Sequence, residues 1–114
     1  MPSVFIPNKS GHTYDDALRY GELVFVTAGT QNKYSTNQMY RVWDKVLETA
    51  KADDLIVLTG LNIICAVGAA AFAAKFGRLN LLLWRNERYI KREIFFTEGG
   101  ATPEEVVAKG GGDE

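Results

Sequence analysis

Between Asp54 and Lys75 the chain carries twenty consecutive residues without a charge, LIVLTGLNIICAVGAAAFAA. A stretch of that length can span a bilayer as one helix, so its reading decides the class of protein. The run is not uniform. Leu55 to Leu58 is a short β-prone burst, and Thr59-Gly60-Leu61-Asn62 then breaks it with turn-forming residues. Ile63 to Ala74 is too short to cross on its own. The expectation is one buried strand feeding one buried helix in a soluble domain, the helix ending at Gly77.

The rest of the chain alternates in the same way. Val4-Phe5-Ile6 and Leu23 to Thr27 are apolar bursts of strand length. Between them Thr13 caps a helix over Tyr14–Tyr20 with Asp15 and Asp16 in its first turn, and Gly21 stops it as a left-handed residue. Ser35 and Gln38 form a capping-box pattern. Met39, Val42, Trp43, Val46, Leu47 and Ala50 then recur at helical spacing, which predicts an amphipathic helix. Leu79 to Trp84 and Arg88 to Phe96 read as two strands joined by a hairpin turn at Arg85-Asn86-Glu87. Lys91, Arg92 and Glu93 mark the last strand as an edge. Thr102, Pro103 and Glu105 predict a short helix to Lys109. The expected organisation is a single domain over residues 1–98 with a loose C-terminal segment over 99–114. The order β-α-β-α-β-α-β-β predicts an α/β fold: a three-layer, Rossmann-like or flavodoxin-like, mostly parallel sheet with an antiparallel C-terminal edge hairpin.

Several function classes are disfavoured at once. The chain has 114 residues, one cysteine and one histidine. A single cysteine cannot form an internal disulfide, and His12 with Cys65 falls short of the four ligands of a structural zinc site, so no metal or other cofactor is expected. Cys65 and Trp43 fall on apolar helical faces and read as core. Neither a GxGxxG nor a Walker A pattern is present. Met1 to Ile6 lacks a secretory signal's positive start and apolar stretch, and Pro7 interrupts it. The single cysteine fits a cytoplasmic setting.

In open α/β sheets ligands bind beyond the carboxyl ends of the strands. Three polar loops fall there: Asn8-Lys9-Ser10-Gly11-His12, Thr27 to Lys33, and Thr59 to Asn62. Each leads into an expected helix N-terminus, where free N–H groups and the helix dipole favour an anion. Lys9 and Lys33 supply charge, Ser10, Thr30 and Asn62 supply hydrogen bonds, and Gly11 and Gly29 permit close backbone approach. Asn8, Lys9, Ser10, Gly11, His12, Gly29, Thr30 and Asn62 are thus the candidate ligand-binding residues, for a phosphate-bearing or nucleotide-like molecule. The same residue types also serve as ordinary turn and cap residues. His12 is the one candidate general base, with Asp16 as its orienting carboxylate. A serine triad at Ser10 lacks a nucleophile elbow.

Charge is unevenly spread. Residues 75–92 hold six basic side chains (Lys75, Arg78, Arg85, Arg88, Lys91, Arg92) against Glu87, whereas residues 93–114 hold six acids against Lys109. Trp84 and Tyr89 lie within the basic stretch. Arg85, Arg88, Lys91 and Arg92 are therefore candidates for nucleic-acid contact, beside the plainer reading of a solvated, charge-protected edge.

The segments Val4-Phe5-Ile6-Pro7-Asn8-Lys9-Ser10-Gly11-His12, Gly21-Glu22-Leu23-Val24-Phe25-Val26-Thr27 and Gly77-Arg78-Leu79-Asn80-Leu81-Leu82 resemble small uncharacterised proteins of tailed bacteriophages. The resemblance covers most of residues 4–96. It implies a viral accessory protein in the host cytoplasm and assigns no activity, cofactor or catalytic residue.

The leading expectation is a small anionic-ligand-binding module without chemistry of its own. A protein-interaction module working through the third helix or the hairpin, and an enzyme using His12, are the alternatives. The third helix has no polar stripe between Asn62 and Lys75, so a covering partner is expected, and a two-fold homodimer is the simplest one.

Overall fold

The computed structural model describes residues 1–11, 13–58 and 62–96. Five strands form one sheet: β1 (Ser3–Lys9), β2 (Glu22–Ala28), β3 (Leu55–Val57), β4 (Arg78–Arg85) and β5 (Arg88–Phe95). Two α-helices, α1 (Thr36–Val46) and α2 (Asn62–Phe76), and a 3-10 helix at Asp15–Arg19 connect them, with a further single 3-10 turn at Leu47–Thr49 continuing α1. The strand order is β2-β1-β3-β4-β5. β2, β1, β3 and β4 run parallel, and β5 pairs antiparallel with β4. This is the flavodoxin-like order with its last strand reversed. The fold class read from the alternation of elements is the one observed. The uncharged run resolves into β3 and α2 as expected, and no described helix is long and apolar enough to cross a membrane.

Alternation along the strands divides the core in two. On one face Phe5, Ile56, Leu79 and Leu81 pack with Met39, Trp43 and Leu47 from the α1 side and Ile64 and Phe72 from α2. On the other, Val4, Ile6, Leu55, Val57 and Leu82 pack with Tyr14, Ala17 and Tyr89. The 3-10 helix touches both β2 and β5, the two edges of the sheet, so the sheet curls around it. The outer side of α2 exposes Ala66, Ala70 and Ala74, while Ala69 and Ala73 are half-buried.

The first crossover differs from expectation. It is a five-residue 3-10 helix, not an α-helix, and Gly21 is not left-handed. A side chain at Gly21 would collide with the Pro2 carbonyl oxygen, which accepts the Glu22 N–H at 3.0 Å. Glycine is needed there for close approach of two backbones, not for a left-handed cap. At Ser35 the N-cap position is as expected, but its side chain makes no capping hydrogen bond. The expected C-terminal helix, Thr102–Lys109, lies outside the described residues.

The β4–β5 connection is a two-residue turn with both residues left-handed, Asn86 at φ 52° and Glu87 at φ 65°. This geometry matches the twist of a hairpin but strains a glutamate. Glu87→Gly is expected to raise unfolding free energy by roughly 0.5–1 kcal/mol, since glycine adopts that region without steric cost. Urea denaturation checks this. An unchanged midpoint would mean the turn is not so strained.

At the other end of the turn the 3-10 helix holds the hairpin. The Tyr89 N–H donates to the Asp16 carboxylate at 2.5 Å, and the Tyr89 carbonyl accepts from Arg19 and from the Tyr20 hydroxyl at 2.9 Å. These side chains cover part of the exposed edge of β5. The Tyr89 N–H bond, followed by Arg19, holds the Asp16 carboxyl below its ordinary value of 3.8. A carboxyl depressed on folding stabilises the native state above its unfolded value, and that contribution disappears as pH falls through the lower folded value. Stability is thus expected to decline as pH drops below about 4, with a shallower decline in Asp16→Asn. Denaturation midpoints measured across the acid range test this. Equal slopes for the two proteins would remove Asp16 as a contributor.

Candidate functional site

Because β1, β2, β3 and β4 are parallel, their carboxyl ends share one edge of the sheet. Lys9, Ser10 and Gly11 leave β1 there, Gly29 and Thr30 leave β2, and Asn62 opens α2. The described candidate ligand residues are therefore on one edge, but their side chains do not line one cleft.

Asn8 and Ser10 are committed within the protein. The Asn8 side chain, 9% exposed, donates to the Gly29 carbonyl at 3.1 Å, and its amide oxygen lies 2.8 Å from the Thr27 hydroxyl. That hydroxyl is equally close to the Pro7 carbonyl, at 2.8 Å. The Ser10 N–H donates to the Tyr14 hydroxyl at 3.3 Å, and the two hydroxyls are 3.1 Å apart. Lys9 places its ammonium 5.0 Å from the centre of the Phe25 ring. Gly29, at φ +75°, turns the chain out of β2 while its N–H donates to the Lys9 carbonyl at 3.2 Å. Asn8 and Ser10 thus hold the first two loops in shape. Gly11 and Asn62 are exposed, and His12 with Thr59-Gly60-Leu61 lies outside the described residues.

A cavity of about 200 Å³ opens at the end of β2, over the start of α1. Thr27, Thr30, Gln31, Asn32, Ser35 and Gln38 form its polar wall, and Met39 and Val42 close its base. Of the described candidate ligand residues only Thr30 lines it. Gln31 donates its side-chain amide to the Ala28 carbonyl at 2.9 Å, and Asn32 accepts the Tyr34 N–H at 3.0 Å, so these two shape the loop. Thr30, Ser35 and Gln38 make no side-chain hydrogen bond among the described residues. Among the described residues no charged side chain lines the wall. Neutral hydroxyl and amide groups at an uncapped helix N-terminus suit a small anionic group. Ser35 and Gln38 carried a sequence signal, but one that pointed to a cap. Their place in a cavity depends on how α1 meets the end of β2, which no local pattern encodes.

The cavity sits one strand out from the switch point of the sheet, which lies between β1 and β3. A second depression, of about 360 Å³, lies at the opposite end of the sheet between β1, β2 and the end of α1. It is mostly apolar, and its carboxylate, Asp54, is already bonded to the N–H groups of Ser3 and Lys51 at 2.9 and 2.8 Å. Among the described residues no group of three or more His, Cys, Asp and Glu side chains is placed to hold a metal ion.

In the hairpin, the register pairs Leu79 with Ile94, Leu81 with Arg92, Leu83 with Ile90 and Arg85 with Arg88. These residues share the face that carries the helices, as Leu79 and Leu81 show. Three of the four nucleic-acid candidates thus stand on one face, and Lys91 points to the other. Trp84 is 52% exposed and packs its ring edge-on against Tyr89.

No curated protein and no solved structure gives a significant match to the chain. A family model matches residues 2–96, the stretch that contains the entire sheet and both α-helices. The chain belongs to the family of phage Pam3 gp32-like proteins.

Proposed function

We propose that this phage protein is a small-ligand-binding module that takes a phosphate-bearing or nucleotide-like anion at the carboxyl edge of its sheet, without transforming it. The observation that carries the proposal is the cavity of about 200 Å³ over the N-terminus of α1. Its Thr30, Ser35 and Gln38 side chains have hydrogen-bonding capacity to spare, and the first turn of α1 has N–H groups that no cap from Ser35 answers. The volume suits one phosphoryl group and part of an attached moiety, and the remainder of a nucleotide would lie outside. Lys33, in the same loop, is near enough in sequence to add charge.

The test is a titration of the isotope-labelled protein with inorganic phosphate and with nucleoside monophosphates, followed by amide shifts. Binding is expected to move the amides of Thr30, Gln31, Ser35 and Gln38. Thr30→Val and Ser35→Ala should each weaken affinity about tenfold, the loss of one hydrogen bond to a charged group. A saturating ligand at about a hundred times its Kd adds about 2.7 kcal/mol of stability, which a thermal shift would also register. Titrations that leave these four amides unmoved would overturn the proposal.

A further inference from the structure

The helix layer stops short of the last strand. α2 packs on β4 and β1, with no comparable packing on β5. On that helix-side face Leu83 and Ile94 are 36% and 42% exposed, and Ile90 is half-buried. Arg85, Arg88 and Arg92 stand among them, and none forms an ion pair among the described residues. Arg92 donates to the Lys91 carbonyl at 2.8 Å and Arg88 acts on Asp16 only from beyond ion-pair distance, so an apolar strip flanked by guanidiniums that no described carboxylate pairs calls for an acidic, amphipathic cover.

We propose that the C-terminal segment of this same chain, residues 97–114, docks on this face and extends the helix layer over β5. The segment starts in the right place. Phe96 donates its N–H to the Gly77 carbonyl at 2.9 Å, which fixes the end of β5 beside the end of α2. Its composition is complementary: Glu98, Glu104, Glu105, Asp113 and Glu114 against Lys109 alone. Its sequence predicts a helix from Pro103 to Lys109 carrying Val106 and Val107. Such a helix is about 10 Å long, and the strand from Ile94 to Ile90 covers about 13 Å. Residues 97–101 can extend about 17 Å, enough to turn the chain back along the strand. Val106 and Val107 then meet Ile90 and Ile94, and the acidic end reaches Arg88 and Arg85. A tethered segment acts at an effective concentration of about millimolar, which favours it over a second copy at micromolar protein.

The experiment places a nitroxide on the full chain at Ala108→Cys, with Cys65→Ala, and reads amide signals. The signals of Ile90, Arg92 and Ile94 should fall to less than half, unchanged on dilution. They should recover in Arg88→Glu/Arg92→Glu and at about 0.5 M salt, where charges are screened within a few ångströms. Unbroadened signals would overturn the proposal. So would broadening that survives charge reversal, or that arises only between nitroxide-bearing and isotope-labelled chains in a mixture, which would mark a second copy as the occupant. With Cys65 untouched, a chain ending at Phe96 should shift the amides of Leu83, Ile90, Arg92 and Ile94 relative to the full chain. Identical hairpin spectra would count equally against docking.

Discussion

Trp43→Ala is expected to remove about 3–5 kcal/mol of stability, the cost of emptying a large, fully buried aromatic site. Trp43 is 0% exposed and stands at the centre of the helix-side core. Its ring meets Phe5 edge-on at 6.1 Å, and its indole N–H donates to the Ile64 carbonyl at 3.0 Å, tying α1 to the first turn of α2. The ring can lie against α2 only because position 68 has no side chain. A Cβ at Gly68 would fall well inside contact with the Cδ2, Cε2 and Cζ2 atoms of Trp43. Gly68→Ala is therefore expected to destabilise by about 2–3 kcal/mol through overpacking, despite alanine's higher helix propensity. In a Trp43→Leu background the collision is gone and the same alanine should be neutral or mildly stabilising. The double-mutant cycle should then show a coupling of at least about 2 kcal/mol. Additive effects would mean that Trp43 and Gly68 do not depend on each other.

That pair shows where sequence reasoning succeeds and where it stops. The helical spacing of Met39, Val42, Trp43 and Val46 places Trp43 on a buried face, and the small residues of α2 announce a close neighbour. Which glycine faces which ring is set by the helix crossing, a tertiary relation without local signature. The 3-10 helix at Asp15–Arg19 shows the opposite failure. Its acidic first turn reads as an ordinary helix start, yet Asp16 is held by the backbone N–H of Tyr89, far away in the chain. The α/β class and the antiparallel hairpin follow from periodicity and turn chemistry. At the candidate site, parallel strands bring the ends of β1 and β2 and the start of α2 to one edge, as the alternation of strands and helices implies. The detail was not legible. Asn8 and Ser10 look like free ligand donors in sequence and prove to be loop fasteners. Ser35 looks like a cap and instead lines the cavity.

Asn80→Leu is the substitution expected to rank next in cost, at about 3 kcal/mol. Asn80 interrupts the apolar run Leu79–Trp84 within β4, and it is 1% exposed. Its amide donates to the carbonyls of Ala52 and Asp54, both at 2.8 Å, and its oxygen accepts from Arg78 Nε at 3.1 Å and Nη2 at 2.8 Å. Both donors and both acceptor positions of the side chain are thus in use. The turn it fastens is also held from within. Asp54, 4% exposed, accepts the N–H groups of Ser3 and Lys51. Leucine keeps the branched, four-atom outline of asparagine but is bulkier, so the exchange removes the hydrogen bonds and adds a smaller cost of overpacking. It strands two carbonyls and part of a guanidinium, and each buried polar group left unpaired costs about 1–3 kcal/mol. Arg78 retains Glu93 at 2.5 Å as a partner, which limits its share of the loss. Stability from urea unfolding, with hydrogen exchange at Lys51 and Asp54, measures the outcome. Faster exchange at these two amides should accompany the loss, because the 50–54 turn is released from β4. A leucine variant as stable as the parent, with unchanged exchange in that turn, would show that the network does not hold β3 against β4.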